Sequence, residues 1–211
     1  MSKNYGIIQQ MHSQCENPQV AKLITRLFTR LDKQKIYASS LSTSIEVVLA
    51  CKMYDIDAKL ILGTVGLPKT KECFPSTWVE IDDNIYDMAI YFDSLRHPML
   101  KEHTDIIQPQ INRTYENADV DYFDFQFVDV FELSDIHRHV NATFKEFCEN
   151  SPYGDDLWCD ILYAADILQT PDNLKKLQDI AAGLKVSKTR NPVEERAPSK
   201  SDIDTNNQEQ S

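Results

Sequence analysis

The chain has 211 residues, of which 42% are hydrophobic and 26% charged, and its formal net charge is −11. This length and composition suit one globular domain, and the sequence contains no run of ~18 apolar residues that would span a membrane. The electrostatic field of a negatively charged protein repels phosphate backbones, and no basic patch in the sequence offsets this charge. We therefore expect no nucleic-acid binding and no membrane association. The acidity favours a basic peptide or protein partner, or else it only keeps the chain soluble.

The cysteines and the N-terminus bear on the cellular compartment. The five cysteines are odd in number and irregularly spaced, which indicates reduced thiols rather than a disulfide framework. Near the N-terminus only the short apolar pair Ile7-Ile8 occurs, which is too short for the core of a signal peptide. We therefore expect a cytoplasmic protein.

Two helices are predicted in the first quarter of the chain. Asn17-Pro18 supplies a cap and a proline at the first helical position, and apolar residues follow at helical spacing over residues 20–31. A hydroxyl-rich run at residues 39–44 then precedes an apolar helical face, so a second helix is predicted over residues 41–53.

A small antiparallel sheet is predicted next. Residues 58–65 form a short apolar run ended by glycine, which is typical of a buried strand. A loop over residues 68–75 contains Cys73. Residues 77–81 and 84–91 are predicted as two strands joined by a tight turn at Asp82-Asp83-Asn84, because Asp and Asn tolerate turn dihedrals.

The remaining sequence predicts an irregular segment, a strand and a helical C-terminal part. Residues 97–118 are polar and contain two prolines, while residues 120–133 are rich in aromatics and acids, and the alternation at 123–127 predicts a strand. Helices are predicted over residues 136–148, 155–168 and 171–184. Residues 187–211 lack aromatics and are predicted to be a disordered tail. The expected organisation is one α+β domain over residues 1–186.

The central segment carries a resemblance. The stretches IDAKLILG (residues 56–63), WVEI (78–81) and IYD (85–87) stand in an order and spacing that resemble the transglutaminase-like cysteine protease superfamily. Within it, the nearest likeness is to the leader-peptide-cleaving proteins of lasso-peptide biosynthesis. The resemblance implies helices packed on a small antiparallel sheet. It also implies a nucleophilic cysteine at a helix N-terminus, a His-x-Trp-Val-Glu strand, and an aspartate on the neighbouring strand.

The catalytic positions of that superfamily are altered in this sequence. Counting back from Gly63 puts Ser40 at the nucleophile position, and counting back from Trp78 puts Ser76 at the histidine position. Only Asp87 matches the family triad. A serine hydroxyl needs a nearby base, because it has almost no anion at neutral pH. The resemblance therefore implies a catalytically degenerate domain.

The expected function is the binding of a peptide or protein partner, without cofactor or metal. Its binding groove is predicted between the Ser40 helix and the Trp78 strand, and would be lined by Trp78, Glu80 and Cys73. In the plainer interpretation, Ser40 is a helix cap and Asp87 a turn or helix-dipole partner.

Two other functions stay open at this point. One is a hydrolase or acyltransferase that uses Ser40 or Cys73 with a histidine recruited from elsewhere, such as His97 or His103. The other is a structural or regulatory protein that acts through its acidic sheet and tail. A metal site at Asp135, His137 and His139 is not expected, because side chains two apart on a helix point in different directions.

Overall fold

The computed structural model describes residues 3–35, 40–67, 73–95, 107–124, 142–151 and 155–188. The helices are α1 (Lys3–Gln14), α2 (Pro18–Gln34), α3 (Ser40–Met53), α4 (Ala89–Ser94), α5 (Phe144–Glu149), α6 (Asp155–Ala164) and α7 (Pro171–Gly183). The strands are β1 (Ala58–Gly66), β2 (Cys73–Ile81), β3 (Asn84–Asp87), β4 (Gln110–Arg113), β5 (Asp121–Asp124) and β6 (Ser187–Lys188). This mixture of helices and one sheet confirms the α+β class.

The strands form one sheet with the order β4-β3-β2-β1-β5, in which neighbours are antiparallel. The short strand β6 pairs with β1 in parallel. The turn between β2 and β3 places Asp82 at φ 51° and Asp83 at φ 61°. Positive φ at both central residues suits a two-residue hairpin, so the predicted turn is confirmed.

The two faces of the sheet belong to two apolar clusters. Val79 and Ile81 of β2 pack with the large cluster, which includes the buried faces of α2, α3, α6 and α7. Trp78 of β2 packs on the opposite face with Ile61, Val65 and other residues of a smaller cluster. Alternation of side chains along a strand explains this division. For clarity we call the two sides the helix face and the Trp78 face.

The helix ends follow the capping rules that the sequence indicated. Asn17 Oδ1 accepts hydrogen bonds from the Gln19 and Val20 amides at 2.9 and 3.4 Å, with Pro18 opening α2. Thr170 Oγ1 accepts from the Asn173 amide at the start of α7. These side chains bond amide groups that the first helical turn leaves unpaired. The predicted starts of α2 and α7 are therefore confirmed.

Two predicted boundaries in the sheet are wrong. The strand expected over residues 84–91 ends at Asp87, and α4 follows, because the Asp87 carboxylate bonds the Ile90 amide at 3.0 Å and so stabilises a helical turn. Strand β2 begins at Cys73, inside the predicted loop. Strand β3 pairs only with residues 79–81 of β2, so at Pro75 the described neighbour of β2 is β1 alone. Proline is tolerated at such a position because it lies at the edge of the sheet.

The C-terminal half also differs in detail. The segment predicted as irregular contains β4, and the strand predicted over 123–127 overlaps β5 at residues 123 and 124, while residues 125–127 lie outside the described part. The helix predicted over 136–148 is described only as α5, and α6 ends before Asp166, where φ is 57°. Ser187 and Lys188 belong to the sheet and not to a tail; residues 189–211 lie outside the described part. Among the described residues, no helix combines the length and apolarity of a membrane span.

Candidate functional site

Ser76 and Asp87, two of the predicted site residues, lie on one face of the sheet. The β2–β3 register pairs Val79 with Tyr86, which places Asp87 opposite Trp78. Side-chain alternation then puts Ser76 and Asp87 on the Trp78 face of neighbouring strands. Helix α3, which begins at Ser40, packs on the other face, where the Ser44 hydroxyl donates to the Thr77 carbonyl at 3.2 Å. Among the described hydrogen bonds, none joins Ser40 to Ser76 or Asp87.

The Asp87 carboxylate is already engaged inside the protein. One oxygen accepts the Ile90 amide at 3.0 Å, and the other accepts the Tyr122 hydroxyl at 3.1 Å. Asp87 is 2% exposed, and burial raises the pKa of its carboxyl to about 7. The hydroxyl of Ser76 is buried beside it on the next strand and has no hydrogen-bond partner among the described residues.

Aromatic rings fill the Trp78 face. Tyr122 of β5 reaches Asp87 of β3 although β1 and β2 lie between their strands, so the sheet curls around this face. The Trp78 and Tyr122 rings contact edge to face, with centroids 4.7 Å apart. Trp78 Nε1 donates to the Tyr115 hydroxyl, which in turn donates to Glu80.

The three residues predicted to line the groove differ in their exposure. Trp78 is 0% exposed, and α3 lies directly against the helix face of β2. Glu80 is half-buried, and so is Cys73 at the start of β2, which is paired in register with Gly66. Trp78 is therefore a core residue that does not contact a partner, whereas a groove at Glu80 and Cys73 stays a prediction.

Among the described residues, no histidine contacts a candidate nucleophile. His12 is exposed in the last turn of α1, and His97, His103, His137 and His139 lie outside the described residues. Burial raises the pKa of the Cys15, Cys51 and Cys148 thiols to about 12, which keeps them protonated. In the same part of the chain, no group of three or more His, Cys, Asp or Glu side chains is arranged so that it could hold a metal ion; the Asp135 group lies outside it.

Replacement of Asp87 by asparagine is expected to change how stability depends on pH. The raised pKa of Asp87 means that the native state holds a proton that the unfolded state releases between about pH 4 and 7. Native stability therefore falls as pH rises through this range. Asparagine cannot ionise, so Asp87→Asn should become more stable relative to the native chain as pH rises, by a few kcal/mol at ~1.4 kcal/mol for each pKa unit.

Urea unfolding across this pH range measures the difference. Asp179→Asn on the exposed side of α7 removes the same charge and should give a curve parallel to that of the native chain. Parallel curves for Asp87→Asn as well would mean that Asp87 ionises as easily in the native state as in the unfolded chain.

An open cleft that was not predicted from the sequence lies on the helical side of the molecule. This cleft, of about 520 Å³, lies between α2, α3 and α6. Among the described residues, its polar lining consists of Arg30, Gln34, Ser42, Glu46, Asp156 and Asp160. We call it the acidic cleft, because this described lining contains three carboxylates and one cation.

An ion network occupies the floor of the acidic cleft. Arg30 lies 2.5 Å from Glu46 and 2.9 Å from Asp160, while the Glu46 side chain is only 4% exposed and that of Asp160 is 45% exposed. Burial raises the pKa of the Glu46 carboxyl to about 7, against the opposing effect of Arg30. Asp156 stands exposed at the rim. The cleft thus presents uncompensated negative charge to solvent.

The sequence patterns of α2 and α3 contain only weak indications of this ion network. Arg30 follows Arg26 and Lys22 at four-residue intervals on α2, and Glu46 lies within a helix whose described side chains are buried from Thr43 to Cys51. Neither pattern identifies the partner across the helix interface. Comparison with known proteins gives no further guide: no protein-family model, curated protein or solved structure matches this chain.

Proposed function

We propose that this chain is a non-catalytic, transglutaminase-like domain that binds a peptide or protein partner through basic side chains. The observation that carries the proposal is the acidic cleft, where, among the described lining residues, Glu46, Asp156 and Asp160 outnumber the cation Arg30. The net charge of −11 adds a long-range attraction for a basic partner.

The arrangement around Asp87 supports the absence of catalysis. The resemblance to the transglutaminase-like superfamily assigns Ser76 to the position of the general base, and a hydroxyl does not remove a proton from another alcohol at neutral pH. The Asp87 carboxylate, which orients the histidine in those enzymes, is held by Tyr122 and the Ile90 amide instead. The Asp87 side chain thus contributes to the stability of the fold.

The charges of the cleft suggest how a basic side chain binds. Glu46 is buried and paired with Arg30, so it fixes that guanidinium and is not itself the contact. Asp156 is exposed and Asp160 is half-exposed, which leaves both able to meet a lysine or arginine from outside. Exposed ion pairs contribute ~0.2–1 kcal/mol each, so a partner needs several such contacts or additional apolar ones.

Neutralising Asp156 and Asp160 in the acidic cleft is expected to weaken the binding of a basic probe. The probe is an alanine peptide that contains lysine and arginine, and its neutral counterpart carries acetyl-lysine and citrulline. With Asp156→Asn and Asp160→Asn combined, we expect the dissociation constant for the basic probe to rise roughly threefold to tenfold, equal to ~0.7–1.4 kcal/mol. Fluorescence polarisation at low salt measures this change.

A matched variant separates the cleft from general electrostatics. Asp172→Asn with Asp179→Asn removes the same charge from α7 and should leave the affinity nearly unchanged. Equal weakening of probe binding in both double variants would show that the affinity depends only on the net charge of the protein. Cleavage of the probe by the native chain, lost in Ser40→Ala, would instead favour a hydrolase.

A further inference from the structure

A second, smaller cleft adjoins the acidic cleft, and its described charged lining residues are cations. It encloses about 290 Å³ between α2 and α6. Its lining includes the cations Arg26, Arg30 and Lys33, together with Thr25, Gln34 and Tyr163. Among the described residues, no carboxylate belongs to this lining, although the chain has a net charge of −11. We call it the cationic lobe.

We propose that the cationic lobe binds a carboxylate of the same peptide whose basic side chain occupies the acidic cleft. This inference rests on the proposed function and adds the charge pattern of the partner: an acidic residue close to a basic one. The two clefts share Arg30 and Gln34 in their linings, so one short segment is able to reach both.

Unpaired donors at the base of the lobe point to an acceptor group. Arg30 Nε and the Thr25 hydroxyl are buried and have no hydrogen-bond partner among the described residues. Buried donors without partners are uncommon and costly in folded proteins. Arg30 already directs its two terminal nitrogens towards Glu46 and Asp160, so Nε is the nitrogen of this guanidinium for which the described residues provide neither a hydrogen bond nor an ion pair.

In the outer part of the cationic lobe, Arg26 is held by several contacts and Lys33 is exposed. Arg26 donates to the Tyr163 carbonyl at 2.8 Å and to Asp166 at 2.6 Å, and its guanidinium lies 5.5 Å from the centre of the Tyr163 ring. Lys33 is exposed, and no ion pair joins it to another described residue. Lys33 is therefore the cation most available to a carboxylate that enters from solvent.

The number of available cations favours a singly charged carboxylate over a phosphate. Asp160 and Asp166 lie beside the arginines that border the lobe and neutralise part of their charge. Among the described lining residues, Lys33 is then the cation without an ion pair, and its single charge matches that of one carboxylate. Tyr163, which is 62% exposed, adds apolar surface against which the peptide backbone is able to pack.

A double-mutant cycle between peptide and protein tests the inference. The peptides contain one glutamate and one lysine, separated by a short series of alanine spacers, and the matched peptides carry glutamine in place of glutamate. We expect the native chain to bind the glutamate form at least about threefold more tightly at the best spacing. Lys33→Gln should abolish that preference, whereas Lys175→Gln on exposed α7 should retain it.

The outcomes separate the inference from the function on which it rests. If the glutamine peptides bind as tightly as the glutamate peptides, while acetylation of lysine abolishes binding, the carboxylate site is wrong and the basic-partner proposal survives. If acetylation has no effect, the proposed function fails. If a phosphoserine peptide binds more tightly than the glutamate peptide, and Lys33→Gln removes that gain, the assignment of a carboxylate is overturned.

Discussion

Replacement of Trp78 by alanine is expected to lower the free energy of unfolding by about 3–5 kcal/mol. The ring is 0% exposed and contacts Tyr122 edge to face. It also lies so close to Gly63 that a Cβ on that glycine would overlap the ring and the Phe123 carbonyl oxygen. Because β1 and β5 are fitted around the indole, truncation leaves a cavity that the strands cannot close without shifting.

Chemical denaturation measures this loss, and Tyr5→Ala serves as its control. Tyr5 is an aromatic residue of α1 that is 50% exposed, so its removal should change stability by less than ~0.5 kcal/mol. A loss below ~1 kcal/mol for Trp78→Ala would mean that the ring is not enclosed by the curled sheet.

Replacement of Arg30 by methionine is expected to cost about 3–5 kcal/mol near pH 8, because it leaves Glu46 buried without its cation. The Arg30 and Glu46 side chains are 14% and 4% exposed, and their charged groups lie 2.5 Å apart. Removal of the guanidinium should raise the pKa of Glu46 further above its present value of about 7. Glu46 would then be protonated in the native state over a wider pH range.

The cost should therefore depend on pH in a defined direction. At about pH 5 Glu46 is already largely protonated in the native state, so loss of the cation matters less there. Urea unfolding at both pH values measures the difference. The double variant Arg30→Met with Glu46→Leu should recover much of the loss at pH 8, since an apolar pair replaces the ions. An equal cost at both pH values, with no recovery, would show that Glu46 carries no charge in the native state.

Local chemistry made several elements predictable from the sequence. Asn17 with Pro18 identifies the start of α2 because the cap and the proline act within one turn. The Asp82-Asp83 hairpin is predictable for the same reason, since turn dihedrals depend on the residues in the turn. The boundary at Asp87 was missed because it depends on a side-chain bond to the Ile90 amide, which alternation of apolar residues does not reveal.

The candidate site was predictable only in part. The spacing of Ser76 and Asp87 from Trp78 places both on one face once β2 and β3 are paired. Tyr122, which bonds Asp87 from 35 residues away, has no local signature. The same is true of the acidic cleft, because Arg30, Glu46 and Asp160 come from three helices whose packing a single sequence does not specify. Whether the chain is a transglutaminase-like domain stays a prediction.

An NMR titration of the labelled chain with the lysine- and arginine-containing peptide tests directly whether partner binding occurs at the acidic cleft without chemistry. The proposal predicts that amide shifts concentrate at Arg30, Gln34, Ser42 and Asp160, and that the peptide stays intact by mass spectrometry. Shifts centred on Ser76 and Asp87, or a cleaved or transferred peptide, would contradict it.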